Sequence, residues 1–482
     1  MMVLENLYPQ KVFQFFEEMT QIPHGSKNTK AISDYLAAFA RERDLEYYQD
    51  ELNNVVIIKE ATAGYEAAEP IIIQGHMDMV CEKENDCDID FEKDGLRLKI
   101  NGDLIEAEGT TLGGDDGIAV AYALALLDSN ELSHPRLEVV VTVDEEIGML
   151  GALGIDLSML KGHIMLNVDS EEEGTFLTGC AGGLQVHASI PVKRILQNGQ
   201  KLKLTVTGLL GGHSGGEIDK ERANADILMG RVLYALSQII PFGIISMAGG
   251  QKDNAIPREC KAEIIIPAEQ LSEAVKIIDE LNATLSKEYF SSDPGVKILA
   301  EDCGSAGEEV LDYGSVNRII YYLRSVPNGV INMSQVSPGL VETSLNLGIM
   351  ELLSDELKLV TSIRSSVGSR KADLCERVCD IVEMVGGQVV IDGEYPAWEY
   401  KPDSSLRPQI AAVYEKLYGK APEFSTIHAG LECGLLSDKI PNLDCVSFGP
   451  NIYDIHTPSE RLSIESTGRV WEFIVEFLKN AK

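Results

Sequence analysis

Four almost wholly apolar runs constrain this chain most: Pro70–Gln74 (PIIIQ), Leu137–Val143 (LEVVVTV), His163–Val168 (HIMLNV) and Leu443–Phe448 (LDCVSF). Apolar residues at successive rather than alternate positions belong to strands covered on both faces. Such strands sit in parallel or mixed sheets with helices packed above and below. Among these runs lies Asp115–Asp128, which opens with two acids and continues IAVAYALALL. It reads as a buried helix with carboxylates at the positive end of its dipole. Amphipathic helices around Pro9–Gln21 and Asn28–Arg43 and a further strand, Asn54–Lys59, extend the pattern. The expectation is an α/β domain with a central mixed sheet covered by helices.

From about Gly183 the texture changes. Strand patterns at Leu184–Val192, Lys201–Thr207, Lys261–Pro267, Ser344–Met350 and Leu357–Ile363 mix with helical ones at Arg222–Ile239, Gln270–Tyr289 and Lys371–Val385. The first texture returns with helix Ser405–Leu417, the Leu443–Phe448 strand and helix Ile464–Leu478. The spacing predicts one α/β domain, residues 1–184 and 396–482, interrupted by an inserted α+β domain, residues 185–395.

Charge narrows the class. Lys and Arg number 41 against 76 Asp and Glu, a net −35. That surface repels phosphate backbones and anionic lipid, so neither a nucleic-acid nor a membrane partner is expected. The N-terminus carries no basic, apolar and small-residue series of the kind a signal peptide needs. The longest apolar stretch, Gly117–Leu127, is about half of the ~20 residues that span a bilayer. Nine cysteines, an odd number without a framework and with no CxxC pair, suit a reducing compartment and the cytoplasm.

The four runs end alike. PIIIQ leads into Gly75-His76-Met77-Asp78, LEVVVTV into Asp144-Glu145-Glu146, HIMLNV into Asp169-Ser170, and LDCVSFGP precedes Asp454-Ile455-His456. A fifth cluster, Gly113-Gly114-Asp115-Asp116-Gly117, stands where a loop enters the buried helix. Singly, each has an ordinary explanation as a helix cap or a solvated strand end. Open α/β sheets bind ligands beyond the carboxyl ends of their strands, so the five clusters are expected to meet. That many carboxylates in one crevice repel unless cations intervene. Histidine with carboxylate suits zinc, with cobalt or manganese as substitutes, and two divalent ions outweigh three carboxylate ligands. A two-metal centre that acidifies water is the expectation.

The motifs GHMDMV (Gly75–Val80), TTLGGDDGIA (Thr110–Ala119), DEEIGMLGA (Asp144–Ala152), DSEEEG (Asp169–Gly174) and HTPSE (His456–Glu460) occur in order along the chain. In these the chain resembles the zinc-dependent peptidase family that includes aminoacylases, tripeptide aminopeptidase and carnosinases, and within it the branch that cleaves aminoacyl-histidine dipeptides. The resemblance implies a dipeptidase with two zinc ions per subunit. His76 and Asp169 would hold one ion, Glu146 and His456 the other, and Asp115 would bridge them. Asp78 would orient His76, and Glu145 would be the general base. In the inserted domain, a lid in this family, His213 of GLLGGHSGGE would stabilise the oxyanion. Asn254 of DNAIP, Arg364 and Gly430 would contact the substrate, with Arg370 competing with Arg364 for its carboxylate. The family also implies a homodimer formed through the lid.

Other signals lead elsewhere. Gly212-His213-Ser214-Gly215-Gly216 satisfies G-x-S-x-G, but the nucleophile elbow needs a strand ending at the serine and a helix starting after it. Here the strand pattern ends near Thr207 and the helical one starts near Glu221. Asp86-Cys87-Asp88-Ile89-Asp90 begins like a calcium loop, yet Phe91 and Arg97 stand where that loop needs glycine and glutamate. No P-loop, HExxH or dinucleotide fingerprint occurs. A non-catalytic binder would be expected to have lost a ligand or the base, and none is missing.

Overall fold

The computed structural model describes residues 3–482. They form two compact units. One comprises the residues up to Gly179 together with Tyr400–Thr426 and Leu431–Lys482, and the other comprises Cys180–Glu399 and Ile427–Gly430. The breaks fall four or five residues outside the boundaries read from sequence. Ile427–Gly430 groups with the second unit because the Ala181 amide donates to the carbonyls of Ile427 (3.1 Å) and Ala429 (3.0 Å).

The first unit is built on an eight-stranded sheet in the order Glu46–Gln49, Val55–Lys59, Leu137–Thr142, Ile71–His76, Ile164–Asn167, Asp444–Ser447, Thr175–Cys180, Glu423–Ile427. Ile71–His76 pairs in parallel with both Leu137–Thr142 and Ile164–Asn167, and the latter pairs in parallel with Asp444–Ser447. Val55–Lys59 runs antiparallel at one side. Every residue of Ile71–His76 and of Leu137–Thr142 is buried, as near-continuous apolarity requires of doubly covered strands. The helix Gly114–Asp128 has no polar face; all but three of its residues are buried, and it packs on helix Gln10–Thr20 and on the His76 strand. Because the four central strands are parallel, their carboxyl ends emerge along one sheet edge.

The second unit holds a nine-stranded sheet, running Lys297–Leu311, Arg194–Thr207, Cys260–Ile266, Gly243–Gly249, Val341–Leu352, Glu356–Ser365, Gly182–Pro191, Gln388–Tyr395, with Gly329–Met333 beside Val341–Leu352. Helices Ala225–Ser237, Leu271–Glu288, Tyr313–Ser325 and Gly368–Met384 belong to it. Sequence reading passed over Lys297–Leu311 and Tyr313–Ser325. The strand is exposed along most of its length and carries charge, so its alternation is faint. The helix buries Val316, Ile319, Ile320 and Leu323 at helical spacing, a signal present in the sequence. Among the described residues no helix is long and apolar enough to cross a membrane.

Candidate metal centre

His76 is the last residue of its strand and is buried. Its Nδ1 lies 2.9 Å from the main-chain carbonyl of Asp78, which can only accept, so Nδ1 donates and Nε2 points the other way. Nε2 stands 3.3 Å from Asp115 Oδ1 and 3.6 Å from Asp169 Oδ1. The second Asp115 oxygen lies 3.1 Å from His456 Nε2, which is also 3.0 Å from Glu146 Oε1. Asp115 thus offers one oxygen to each imidazole. Ligand atoms of His76, Glu145 and Glu146 converge within 4.8 Å of one another, as do those of Asp115, Glu146 and His456, and those of His76, Asp116 and Asp169. A tetrahedron of N and O ligands at roughly 2.1 Å has edges of about 3.4 Å, so these donors are spaced as a cation would hold them.

Asp78 departs from the expected role in detail. Its carboxylate oxygen Oδ1 is 3.5 Å from His76 Nδ1, farther than its own main-chain carbonyl. The carboxylate mainly accepts from the amides of Glu145 (3.1 Å) and Glu146 (3.4 Å) and from the Ser26 hydroxyl (2.8 Å). It therefore ties the His76 loop to the two glutamates. Glu460, given no role in the sequence reading, accepts from the amides of Leu112 (2.7 Å), Gly113 (3.1 Å), Gly114 (2.8 Å) and Asp115 (3.3 Å). Those are orphan donors at a helix start, and a carboxylate suits them. The signal was its place in HTPSE, three residues beyond Thr457. Asp116 takes the His76 amide on Oδ2 (3.2 Å), and a Cβ on Gly75 would stand 2.5 Å from that oxygen. The Asp115–Asp116 peptide is cis. Beneath the ligands, buried Glu432 accepts from Gln74 Nε2 (2.5 Å) and Thr142 Oγ1 (2.6 Å), a partnership between distant segments with no sequence signature.

Electrostatics state what the cluster lacks. Burial pushes the Glu145 carboxyl well above its ordinary value, with Asp169, Glu432 and Glu146 adding to it. Burial likewise raises Asp116, Asp169 and Glu146, and lifts Glu432 to about 8. Bonds to Asp115 and Glu146 raise His456 to about 10. On His76 burial opposes charge, yet Asp115, Asp169 and Asp78 together raise it. Carboxyls pushed up by burial and by one another, around an Asp115 held low by the two imidazoles, describe a site short of positive charge. Divalent cations would supply it, and the donor set of two imidazoles and three carboxylates fits them.

The remaining predicted residues lie in the second unit. The two-residue strand Gly212–His213 pairs with Ala255–Ile256, and the Asn254 carbonyl accepts from the Ser214 amide (2.8 Å), so His213 and Asn254 are neighbours. His213 Nδ1 accepts from the amides of Gly215 (3.2 Å) and Gly216 (3.1 Å), which leaves its proton on Nε2. Burial and the nearby Arg364 charge lower its pKa, so the ring is neutral. Arg364 donates to the Tyr395 hydroxyl (2.9 Å), whereas Arg370 is engaged by Glu342 (2.5 Å). Gly430 ends the Ile427–Gly430 segment. Ser214 of the G-x-S-x-G match is buried with no partner on Oγ, and it is followed by a three-residue 3₁₀ turn, Ile218–Lys220. Among the described residues no base lies within hydrogen-bond reach of it.

Residues 72–480 match the model of peptidase family M20/M25/M40. The chain is 36% identical over 478 residues to the cytosol non-specific dipeptidase of Escherichia coli (strain K12), covering 99% of this chain and 98% of that protein. It is similar, at a TM-score of 0.94 and 36% identity, to the crystal structure of aminoacylhistidine dipeptidase from Vibrio alginolyticus, covering 99% and 98% of the two chains. The aminopeptidase PepT of Bacillus cereus ATCC 10987 shares the fold at a TM-score of 0.58 and 14% identity, over 98% of each chain. With its histidines and carboxylates gathered at one sheet edge and its likeness running the length of the chain, the protein belongs to peptidase family M20/M25/M40.

Proposed function

We propose that this protein is a metal-dependent dipeptidase that hydrolyses dipeptides with a free amine and a free carboxylate, Xaa-His and β-alanyl-histidine among them. One observation carries the reading: the two oxygens of Asp115 face the Nε2 atoms of two different imidazoles, at 3.3 and 3.1 Å. The dipeptidases of E. coli and V. alginolyticus support the substrate class. The centre would take two zinc ions, with cobalt or manganese as substitutes, His76 and Asp169 on one, Glu146 and His456 on the other, and Asp115 on both. When bound, such a pair polarises the scissile carbonyl and lowers the pKa of water toward ~7.

The chain's own residues would do the rest. Among the described residues Glu145 has no hydrogen-bond partner for its side chain, and burial pushes its pKa up, which favours taking a proton. It would accept the proton of the attacking water and pass it to the nitrogen of the leaving amine. Asp78 would hold the Glu145 and Glu146 amides in place. His213, with its proton on Nε2, would donate to the developing oxyanion. Asn254, Arg364 and Gly430 would contact the substrate, Arg364 through its carboxylate. A cytoplasmic homodimer joined through the second unit completes the proposal.

The test is hydrolysis of β-alanyl-histidine and leucyl-histidine by the purified protein before chelation, after it, and after zinc is restored. Activity lost and then recovered with zinc is expected. Activity that persists after metal analysis confirms removal would overturn the reading.

A further inference from the structure

Four residues line up across four neighbouring strands of the second unit. Ser344 pairs with Arg364, Arg364 with Gly183, and Gly183 with Tyr395. Directly opposed residues in antiparallel strands project on one face, so the row presents a hydroxyl, a guanidinium, a gap and a phenol side by side. Gly183 is the gap that makes the row work. A Cβ there would lie 2.6 Å from the Tyr395 hydroxyl, so only glycine lets the Tyr395 ring lean across to meet Arg364. At the far end, Ser344 Oγ lies 2.7 Å from His428 Nε2.

This row has donors left over. Among the described residues Arg364 bonds only Tyr395, and its buried Nε has no partner. His428 Nδ1 is buried and also without a partner. Burial and Arg364 push the His428 pKa down to about 4, so the ring is neutral at pH 7 and one nitrogen alone carries the proton. The Ser344 hydroxyl and Nε2 share one hydrogen bond, and with the hydroxyl as its donor the imidazole proton stands on Nδ1. In that arrangement the Nε–H of the cationic Arg364 guanidinium and the Nδ1–H of His428 are two unmet donors, and they call for an anion with two acceptor atoms. A carboxylate has them, and it accepts in the fork geometry that guanidinium offers.

We infer that His428, its tautomer set by Ser344, joins Arg364 and Tyr395 to form a cradle for the substrate's C-terminal carboxylate, and that His428 is a specificity-determining residue. The identity of the anion rests on the dipeptidase reading; the existence of an anion cradle does not. Two compounds that differ only in that carboxylate, leucyl-histidine and leucyl-histamine, separate the claims. Hydrolysis of either one reports on the dipeptidase reading, and the ratio of their kcat/KM values reports on the cradle. Replacing His428 with Ala is expected to lower that ratio about tenfold, the worth of one hydrogen bond to a charged group. The loss should lie in KM for leucyl-histidine, with leucyl-histamine unaffected. His428→Asn places an amide where Nδ1 stood and should restore most of the ratio, and Ser344→Ala should lower it a few-fold. An equal loss on both compounds, or an unchanged ratio, would overturn the cradle while leaving the dipeptidase intact. If the wild-type protein turns over neither compound, calorimetric dissociation constants for the same pair give the same ratio and decide the cradle alone.

Discussion

Glu145 and Glu146 are adjacent, and their side chains go to different work. Glu146 reaches His456 at 3.0 Å, whereas Glu145 has no side-chain hydrogen-bond partner among the described residues and stands among His76, Asp169 and Glu432. The strand ends at Thr142, and the turn that follows it, closed by the Gly148 and Met149 amides on the Glu145 carbonyl, sends the two side chains to different partners. Glu145→Gln keeps shape and volume and removes the proton acceptor. Turnover should fall by about 10²–10⁴-fold, the usual contribution of a general base, while metal content measured by elemental analysis stays at the wild-type level. A matching loss of metal would mean that the two glutamates have exchanged roles.

At the scale of elements, the centre depends on how loops are tied to one another. The turn Leu112–Asp115 carries Asp115, and its four amides donate hydrogen bonds to the carboxylate of Glu460, more than three hundred residues away in sequence. Glu460 is buried, so losing its charge leaves amides without an acceptor. Glu460→Ala is expected to weaken metal binding by about 10–100-fold, as does loss of other residues that orient ligands, and to lower the melting temperature. Chelator competition followed by metal analysis measures the first effect. Unaltered metal affinity would show that Asp115 is held by its own helix alone.

For the whole molecule, stability should depend on pH through a group remote from the centre. Asp226 in helix Ala225–Ser237 is fully buried, no N–H or O–H donor reaches its carboxyl among the described residues, and burial pushes its pKa to about 8, with the Cys260 thiol opposing. The ordinary value is 3.8. Between these values the unfolded chain releases a proton that the folded chain keeps. Stability from this group is therefore complete below about pH 4 and declines by roughly 1.4 kcal/mol per pH unit up to about pH 8. Asp226→Asn removes the titration. It should be more stable than the wild type at pH 9 in denaturant unfolding, with the advantage shrinking toward pH 4. A difference that does not vary with pH would place the Asp226 carboxyl near its ordinary value in the folded chain.

Much of this was open to reading in the order of residues. The apolar runs announced doubly covered strands, and the His and carboxylate clusters at their ends announced a site, because strand type and ligand chemistry are local properties of neighbouring residues. The motif order carried the family and its set of ligand candidates. What tertiary structure alone decided is pairing over distance. Parallel alignment brought His76, Glu145 and Asp169 to one edge, and the reach of Glu460 to the Asp115 turn and of Glu432 to Gln74 depends on segments whose separation no local pattern encodes. The same holds for Arg364 against Arg370. Both arginines are equal as letters, and it is the fold that sets Glu342 against Arg370 and Tyr395 against Arg364. Register across four strands placed Ser344, Arg364, Gly183 and Tyr395 in one row. Sequence determines which chemistry a residue can perform, and hydrogen bonding and packing between distant segments determine which residue performs it.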